Sequence, residues 1–134
     1  MRKPPRTLIE EQAKAAEEEQ AGINAGLVRF RRDAPEIASR FMEFWRLACH
    51  REGVIPRKYR ELMSLCVVLV EHCKPCIFLH TRLCLEAGAT REEILETAGI
   101  ALAMGGGIVY EYIGYLMEAL ETIQSKQEGG KENG

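Results

Sequence analysis

Two cysteines and a histidine near the middle of the chain are spaced in a way that could support thiol redox chemistry. Cys73 and Cys76 are separated by two residues, and His80 follows Cys76 by four. If a helix begins between the cysteines, Cys76 lies in its first turn, where free N–H groups and the helix dipole favour a thiolate. His80 then lies one turn further on the same face, where it could accept the thiol proton. The spacing therefore indicates an activated thiol with a second thiol in range, which is a redox couple.

The residues between the two cysteines favour this helix start. Pro75 is well suited to a first helical turn, and it disfavours a helical conformation in the preceding Lys74. We therefore expect the preceding helix to end before this point. Lys74 also adds a positive charge that would favour a nearby thiolate.

The cysteine pair also has two other interpretations. It could be a purely structural disulfide, or it could bind zinc together with His80 and His72. The zinc interpretation lacks the second CxxC or the HxxxH pair that is usual in structural sites. The chain has five cysteines, an odd number, which argues against a fully paired disulfide framework. Redox chemistry is the favoured interpretation, and we predict neither a metal nor a cofactor.

Composition restricts the class of protein. The chain has 134 residues, of which 46% are hydrophobic and 28% charged, as is typical of a single globular domain. The net charge of −2 gives no electrostatic basis for binding nucleic acid. No apolar run approaches the roughly 20 residues needed to cross a bilayer, and no signal core follows the charged first residues. We therefore expect a cytoplasmic protein with no membrane partner, and in that compartment a close cysteine pair is more often redox-active or metal-binding than structural.

Helical signals recur along the chain and strand signals are nearly absent, so the predicted fold class is all-α. Residues 1–23 have good helix propensity but few large apolar side chains, and we expect a peripheral helix or arm broken by Gly22 and Gly26. The run Asp33-Ala34-Pro35-Glu36 predicts the start of a second helix. The apolar residues that follow recur at helical spacing and predict one buried face, formed by Phe41, Phe44, Trp45 and Ala48.

Residues 24–126 are predicted to form the core of one domain that spans residues 1–134. Lys58 to His72 reads as a central helix that is apolar nearly all round, so we expect it to be buried by the chain itself or by a partner chain. Gly88 should end the helix that carries Cys76. Further along the chain, the sequence predicts a capping box at Thr90 to Glu93, a break at Gly105 to Gly107, a last helix over Ile108 to Gln124 and a disordered tail over 127–134.

Arg57 to Glu121, about half of the chain, resembles the carboxymuconolactone decarboxylase family, and specifically its alkylhydroperoxidase D-like branch. The composite spacing of a glutamate, eleven residues, CxxC, three residues and a histidine is fairly specific. The resemblance implies an all-helical bundle assembled into trimers or hexamers. The matching features are Lys58-Tyr59-Arg60-Glu61-Leu62-Met63, Cys73-Lys74-Pro75-Cys76 with His80, Glu86-Ala87-Gly88-Ala89-Thr90 with Glu92-Glu93-Ile94, and Gly105-Gly106-Gly107.

The resemblance also implies roles for individual residues. Cys76 matches the thiol that attacks peroxide, and Cys73 matches the thiol that resolves the product. His80 and Glu61 match a histidine and a glutamate that relay protons. Pro75 stands where the best-studied branch has a second relay histidine.

A peroxidase that uses these residues would need a hydroperoxide substrate and an external dithiol as electron donor. Two alternatives are a decarboxylase-like enzyme acting on a small lactone, which would not need the cysteine pair, and a non-catalytic oligomer that senses thiol redox state.

In a straight helix Glu61 would lie roughly 18 Å from Cys73, so it can act only if the next helix folds back or a break or neighbouring subunit closes the distance. Glu71, nearer in sequence, is the reserve candidate.

The remaining histidines and cysteines are expected to have structural roles. His72 is interpreted as a helix-end cation favoured by the dipole. His50 is predicted to lie on the surface. Three cysteines in apolar helical contexts are expected to be small core residues, namely Cys49, Cys66 and Cys84.

Overall fold

The computed structural model describes residues 6–132, and within that range the chain is helical and contains no strand. The all-α prediction is therefore confirmed. A short π-helix, Arg46–His50, follows the second α-helix directly. The six α-helices are α1 Arg6–Asp33, α2 Pro35–Trp45, α3 Arg57–Val70, α4 Lys74–Glu86, α5 Arg91–Gly105 and α6 Gly107–Glu132.

The chain divides into two compact units, residues 1–45 and residues 46–134. In the first unit α1 packs against α2. The predicted start of α2 at Pro35 is confirmed, but α1 continues through Gly22 and Gly26, where a break was predicted. An isolated glycine costs only about 1 kcal/mol relative to alanine in a helix, and the neighbouring alanines, glutamates and glutamines are good helix formers.

The apolar face predicted on α2 is not buried in the chain. Phe41 and Phe44 are 60% and 64% exposed, and the buried residue of this helix is Ala38. The spacing of apolar residues shows that a helix face is suited to burial, but it does not show which surface covers that face.

The second unit is built around α3, which packs against α4, α5, α6 and the π-helix. One side of α3 is buried, whereas Tyr59, Met63 and Val67 on the other side are exposed. The chain alone therefore does not cover this helix all round, and burial by a partner chain, the other predicted possibility, stays a prediction. The largest buried apolar side chains of the core are Leu65, Leu69, Ile77, Ile94, Val109, Leu116 and Leu120.

The helices α3 and α4 each end in a Schellman motif, in which a residue with positive φ follows the last turn. Gly88 has φ +88° at the end of α4, as predicted, and the N–H of Ala89 donates to the carbonyl of Cys84 at 2.9 Å. At the end of α3 the same position is occupied by His72, with φ +58°, and the N–H of Cys73 donates to the carbonyl of Val68 at 3.2 Å. This tight turn folds α4 back along α3.

The remaining helix boundaries follow the capping signals. Thr90 caps α5, and its hydroxyl accepts a hydrogen bond from the N–H of Glu93 at 3.1 Å, as predicted. The predicted glycine break is reduced to Gly106, which has φ +80° between α5 and α6. A Cβ on Gly105 would overlap the side chain of Val109, so glycine permits this close approach.

The last helix, α6, extends to Glu132, beyond its predicted end at Gln124. Residues 127–132, which were expected to be a disordered tail, are thus part of this helix. The lysine and glutamate side chains in this segment are compatible with a helix, despite Gly129 and Gly130. Residues 133 and 134 lie outside the described residues. Among residues 6–132, no helix is both long and apolar enough to cross a membrane.

Candidate active site

The two cysteines of the CxxC motif lie at the start of α4 and form a disulfide in the structure. Cys73 is the N-cap residue of α4, Pro75 occupies the first turn, and Cys76 follows in the same turn. The Cα atoms of the two cysteines are 5.2 Å apart, and both residues are half-buried. The motif is therefore in its oxidised form, and its position at a helix N-terminus favours a thiolate on Cys76 after reduction.

His80 lies one turn beyond Cys76 on α4, and its side chain is buried. Burial lowers the pKa of His80 below its usual 6.5, and this effect outweighs the nearby Glu61 carboxylate, which raises it. The imidazole is therefore neutral at pH 7. A neutral imidazole is the form that can accept a proton from a thiol.

Glu61 lies on α3 and is fully buried. Because α4 folds back along α3, the Nδ1 atom of His80 is 3.8 Å from Oε2 of Glu61. The guanidinium of Arg57, one turn earlier on α3, lies 3.5 Å from Oε1 of the same carboxylate. The two residues that the family resemblance pairs, Glu61 and His80, thus come together in the folded chain. Glu71, the reserve candidate, is exposed at the end of α3.

His50 was missed by the sequence analysis, and its predicted surface position is wrong. Its side chain is only 14% exposed, and its Nδ1 atom is in direct contact with Oε1 of Glu61. The contact joins the π-helix to α3 across a loop, so no local pattern of residues points to it. A π-helix is itself often found at functional sites, but it is visible only in the structure.

Arg60 holds the segment that carries His50. Its guanidinium donates to the carbonyls of Leu47 and Ala48 at 3.1 and 3.2 Å, at the end of the π-helix. It also donates to the carbonyl of Ile55 at 3.0 Å in the loop that leads into α3. These carbonyls lie where the helix end leaves acceptors without intrahelical donors, so one arginine fixes both ends of the connection.

Aromatic side chains of α6 support the turn that contains the cysteines. The ring of His72 packs on Tyr112 with centroids 4.8 Å apart, and Tyr112 contacts Tyr115 edge to face at 5.4 Å. The ammonium group of Lys74 lies 5.0 Å from the centroid of the Tyr115 ring. Positive φ at a residue other than glycine costs roughly 1–2 kcal/mol, and these contacts offset that cost at His72. His72, interpreted from the sequence as a helix-end cation, is therefore a packing residue of the turn.

The three cysteines outside the motif are all reduced in the structure. Cys84 is buried, as predicted, and burial together with Glu61 raises its pKa to about 12. Cys66 packs against the core from a half-buried position, and burial raises its pKa as well. Cys49 is half-buried in the π-helix. Both Cys66 and Cys84 stay protonated at neutral pH, unlike the thiol expected at the start of α4.

In the part of the chain that the structure describes, no group of three histidine, cysteine or acidic side chains is arranged to hold a metal ion. The ring of His50 contacts Glu61 directly. The Arg57 guanidinium beside the same carboxylate would also repel a cation. The arrangement of Glu61 with His50 and His80 is instead suited to holding and moving protons.

Comparisons with solved structures agree with this fold. A carboxymuconolactone decarboxylase family protein from Legionella pneumophila is 31% identical, with a TM-score of 0.76 over 81% of this chain and 96% of that protein. A second member of that family, from Thermotoga maritima, is 33% identical, with a TM-score of 0.64 over 68% of this chain and 93% of that protein. An involvement of the Thermotoga protein in the antioxidative response has been suggested.

Sequence comparisons point the same way. An uncharacterized protein from Cupriavidus necator is 33% identical over 60 residues, which are 45% of this chain and 53% of that protein. The chain thus spans about half the length of that relative. The model of the carboxymuconolactone decarboxylase family matches residues 35–113, more than half of the chain, and this range includes the cysteine pair, His50, Glu61 and His80. With the resemblance seen in the sequence confirmed, the chain belongs to the carboxymuconolactone decarboxylase family.

Proposed function

We propose that this protein is a thiol-dependent peroxidase that reduces hydroperoxides with Cys76 and Cys73. The observation that carries the proposal is the disulfide at the start of α4, with the buried His80 and Glu61 pair one turn behind it. The suggested antioxidative role of the Thermotoga relative supports the same chemistry. A purely structural disulfide would not need a buried imidazole and carboxylate beside it.

The proposed cycle begins with the reduced pair. His80 accepts the proton of the Cys76 thiol, and the resulting imidazolium is stabilised by the Glu61 carboxylate. The Cys76 thiolate attacks the terminal oxygen of a hydroperoxide, the O–O bond breaks, and the departing alkoxide takes the proton from His80 to leave as an alcohol. Cys76 is now a sulfenic acid, oxidised by two electrons.

The second half of the cycle restores the enzyme. The Cys73 thiol condenses with the sulfenic acid, which forms the disulfide seen in the structure and releases water. An external dithiol then reduces this disulfide by exchange and leaves as a disulfide itself. The sum is one hydroperoxide and one dithiol converted to one alcohol, one water and one oxidised donor. Pro75, in the position of a second relay histidine, leaves the proton transfer on α4 to His80.

A turnover assay tests the proposal. The reduced protein, mixed with cumene hydroperoxide and dithiothreitol, is expected to consume peroxide catalytically in proportion to enzyme concentration. Peroxide loss is followed directly, with dithiothreitol alone as the blank. No consumption above the blank, at any of several alkyl hydroperoxides or with hydrogen peroxide, would contradict the proposed function.

Thiol titration gives an independent prediction. The reduced, unfolded chain should show five thiols, the number of its cysteines. After treatment with one equivalent of hydroperoxide, we expect three thiols, since Cys73 and Cys76 account for the two that are lost. Non-reducing electrophoresis should show no cross-linked chains. A loss of thiols from Cys49, Cys66 or Cys84, identified by peptide mapping, would argue against an intramolecular pair.

We further propose that the protein acts as a homo-oligomer, a trimer or hexamer. Tyr59, Met63, Val67 and Val70 recur along the exposed side of α3 and form an apolar stripe that the chain itself leaves uncovered. A stripe of this spacing is typical of a helix face that packs against another helix.

The oligomer proposal predicts that Met63→Glu weakens assembly, because a charge would be buried at the centre of the stripe. Sedimentation velocity should show the wild-type chain as an oligomer and the variant shifted towards smaller species. The exposed substitution Glu96→Gln, on α5, serves as a control that should not change the sedimentation coefficient. A wild-type protein that sediments as a monomer at micromolar concentration would rule out the proposal.

A further inference from the structure

Glu61 has a separate histidine on each of its carboxylate oxygens. Oε2 faces Nδ1 of His80 at 3.8 Å, whereas Oε1 is contacted by Nδ1 of His50 and lies 3.5 Å from Arg57. A glutamate carboxylate rotates readily about its last torsion, for which the energy wells are broad. Contacts to Oε1 therefore determine whether Oε2 stays directed at His80.

His50 is held in place by a contact that α3 itself supplies. Arg60, the residue before Glu61, donates to the carbonyls of Leu47 and Ala48 at the end of the π-helix. The backbone that precedes His50 is thereby tied to the same turn of α3 that carries the carboxylate. A surface histidine would not need such an anchor.

The charged groups around this cluster come from several elements. From α3 the neighbour is Arg57, and from α4 they are His80 and Cys84, whose protonated thiol senses the Glu61 charge. From α5, Glu93 reaches the same end of α3 but pairs with Lys58 at 3.2 Å. The α6 residue Tyr112 faces His72 instead. Among these groups, His50 is the one in direct contact with Oε1.

We infer that His50 is a positioning residue of this site, which donates its Nδ1 proton to Oε1 of Glu61 and so keeps Oε2 directed at His80. The inference rests on the proposed function of the cysteine pair. When His80 takes the Cys76 proton, the imidazolium is stabilised by a carboxylate that is already in place. Without His50, Oε1 keeps only Arg57, at 3.5 Å, so the carboxylate is less firmly held and the thiolate–imidazolium pair is less stable.

The test measures thiolate formation directly and needs no peroxide. In a Cys73→Ser background, the 240 nm absorbance of the Cys76 thiolate is titrated against pH, and the signal of a Cys73→Ser/Cys76→Ser protein is subtracted. We expect His50→Ala to move the midpoint of thiolate formation upward by about one pH unit, a tenfold loss of thiolate on the steep part of the curve. His50→Gln, whose amide N–H can still donate to Oε1, should stay close to the parent.

Outcomes separate the inference from the proposed function. Equal midpoints for the parent, His50→Ala and His50→Gln would overturn the role of His50, whatever the peroxide assay shows. Equal upward shifts in both variants would also overturn it, since the amide should rescue a positioning role. If His50→Ala does not fold, as judged by circular dichroism, His50→Asn replaces it, because its shorter amide does not reach Oε1. Failure of the wild-type turnover assay would contradict the peroxidase proposal while leaving the thiolate titration interpretable.

Discussion

Replacement of Cys76 by serine is expected to abolish peroxide turnover, a loss of roughly 10³-fold or more, because a hydroxyl at this position cannot replace the thiolate as nucleophile. The reason lies in the position of Cys76 in the first turn of α4, one turn before His80. The measurement is the rate of hydroperoxide loss with dithiothreitol as donor. A Cys76→Ser protein that consumed peroxide at the wild-type rate would contradict the proposed mechanism.

Two further variants sharpen this prediction. Cys73→Ser should still react once with hydroperoxide and leave a sulfenic acid on Cys76, detectable by dimedone labelling and mass spectrometry, but it should not form the intramolecular disulfide. Cys66→Ala is the matched control, because Cys66 lies on α3 outside the disulfide and its pKa is raised by burial. It should retain wild-type turnover. Full inactivation by Cys66→Ala would indicate that the wrong thiol has been assigned.

Replacement of His80 by glutamine is expected to slow the reaction of Cys76 with peroxide by about a hundredfold at pH 7, the range typical of a lost general base. Burial lowers the pKa of His80 below 6.5. At any pH above this lowered pKa, the neutral, proton-accepting form of the imidazole predominates. The wild-type rate should therefore fall only as the pH drops below 6.5. In the variant this step should be lost, and the rate should instead rise with increasing pH as the Cys76 thiol ionises without a base.

The pH dependence also distinguishes a lost base from a damaged fold. As the pH approaches 9, the Cys76 thiol ionises without help, so the deficit of His80→Gln should shrink. A deficit that stays constant from pH 6 to pH 9, together with a lowered midpoint of urea unfolding, would show that the substitution acts through stability. The comparison is made by stopped-flow measurement of the first oxidation, which does not depend on the electron donor.

Local signals in the sequence located the turns that build the site. Pro75 between the cysteines, Gly88 after the last turn of α4 and Thr90 before α5 act on backbone torsions and hydrogen bonds within a few residues. These torsions and hydrogen bonds are determined by residues of the same short segment, so the turns can be predicted without knowledge of the fold. The spacing of Cys76 and His80 is local in the same sense.

Burial was harder to predict than helix position. The apolar spacing of Phe41 and Phe44 marks a helix face, yet both side chains are largely exposed in the chain. On α3 the apolar residues surround most of the helix, and only the packing of neighbouring helices decides that Leu65 is buried while Met63 is exposed. A periodic pattern gives the direction of a face but contains no information about the surface opposite it.

The sequence alone determines the helical fold class, the helix start at the cysteines and the family. Each of these depends on neighbouring residues in the chain or on a motif of fixed spacing. The tertiary structure alone decides that Glu61 lies beside His80 and that His50 completes the carboxylate's contacts. A straight helix would place Glu61 roughly 18 Å from Cys73, and the sequence predicts a surface position for His50. Both come to the site because the turn at His72 reverses the chain and Arg60 anchors the π-helix, and these contacts form only when separate helices pack together.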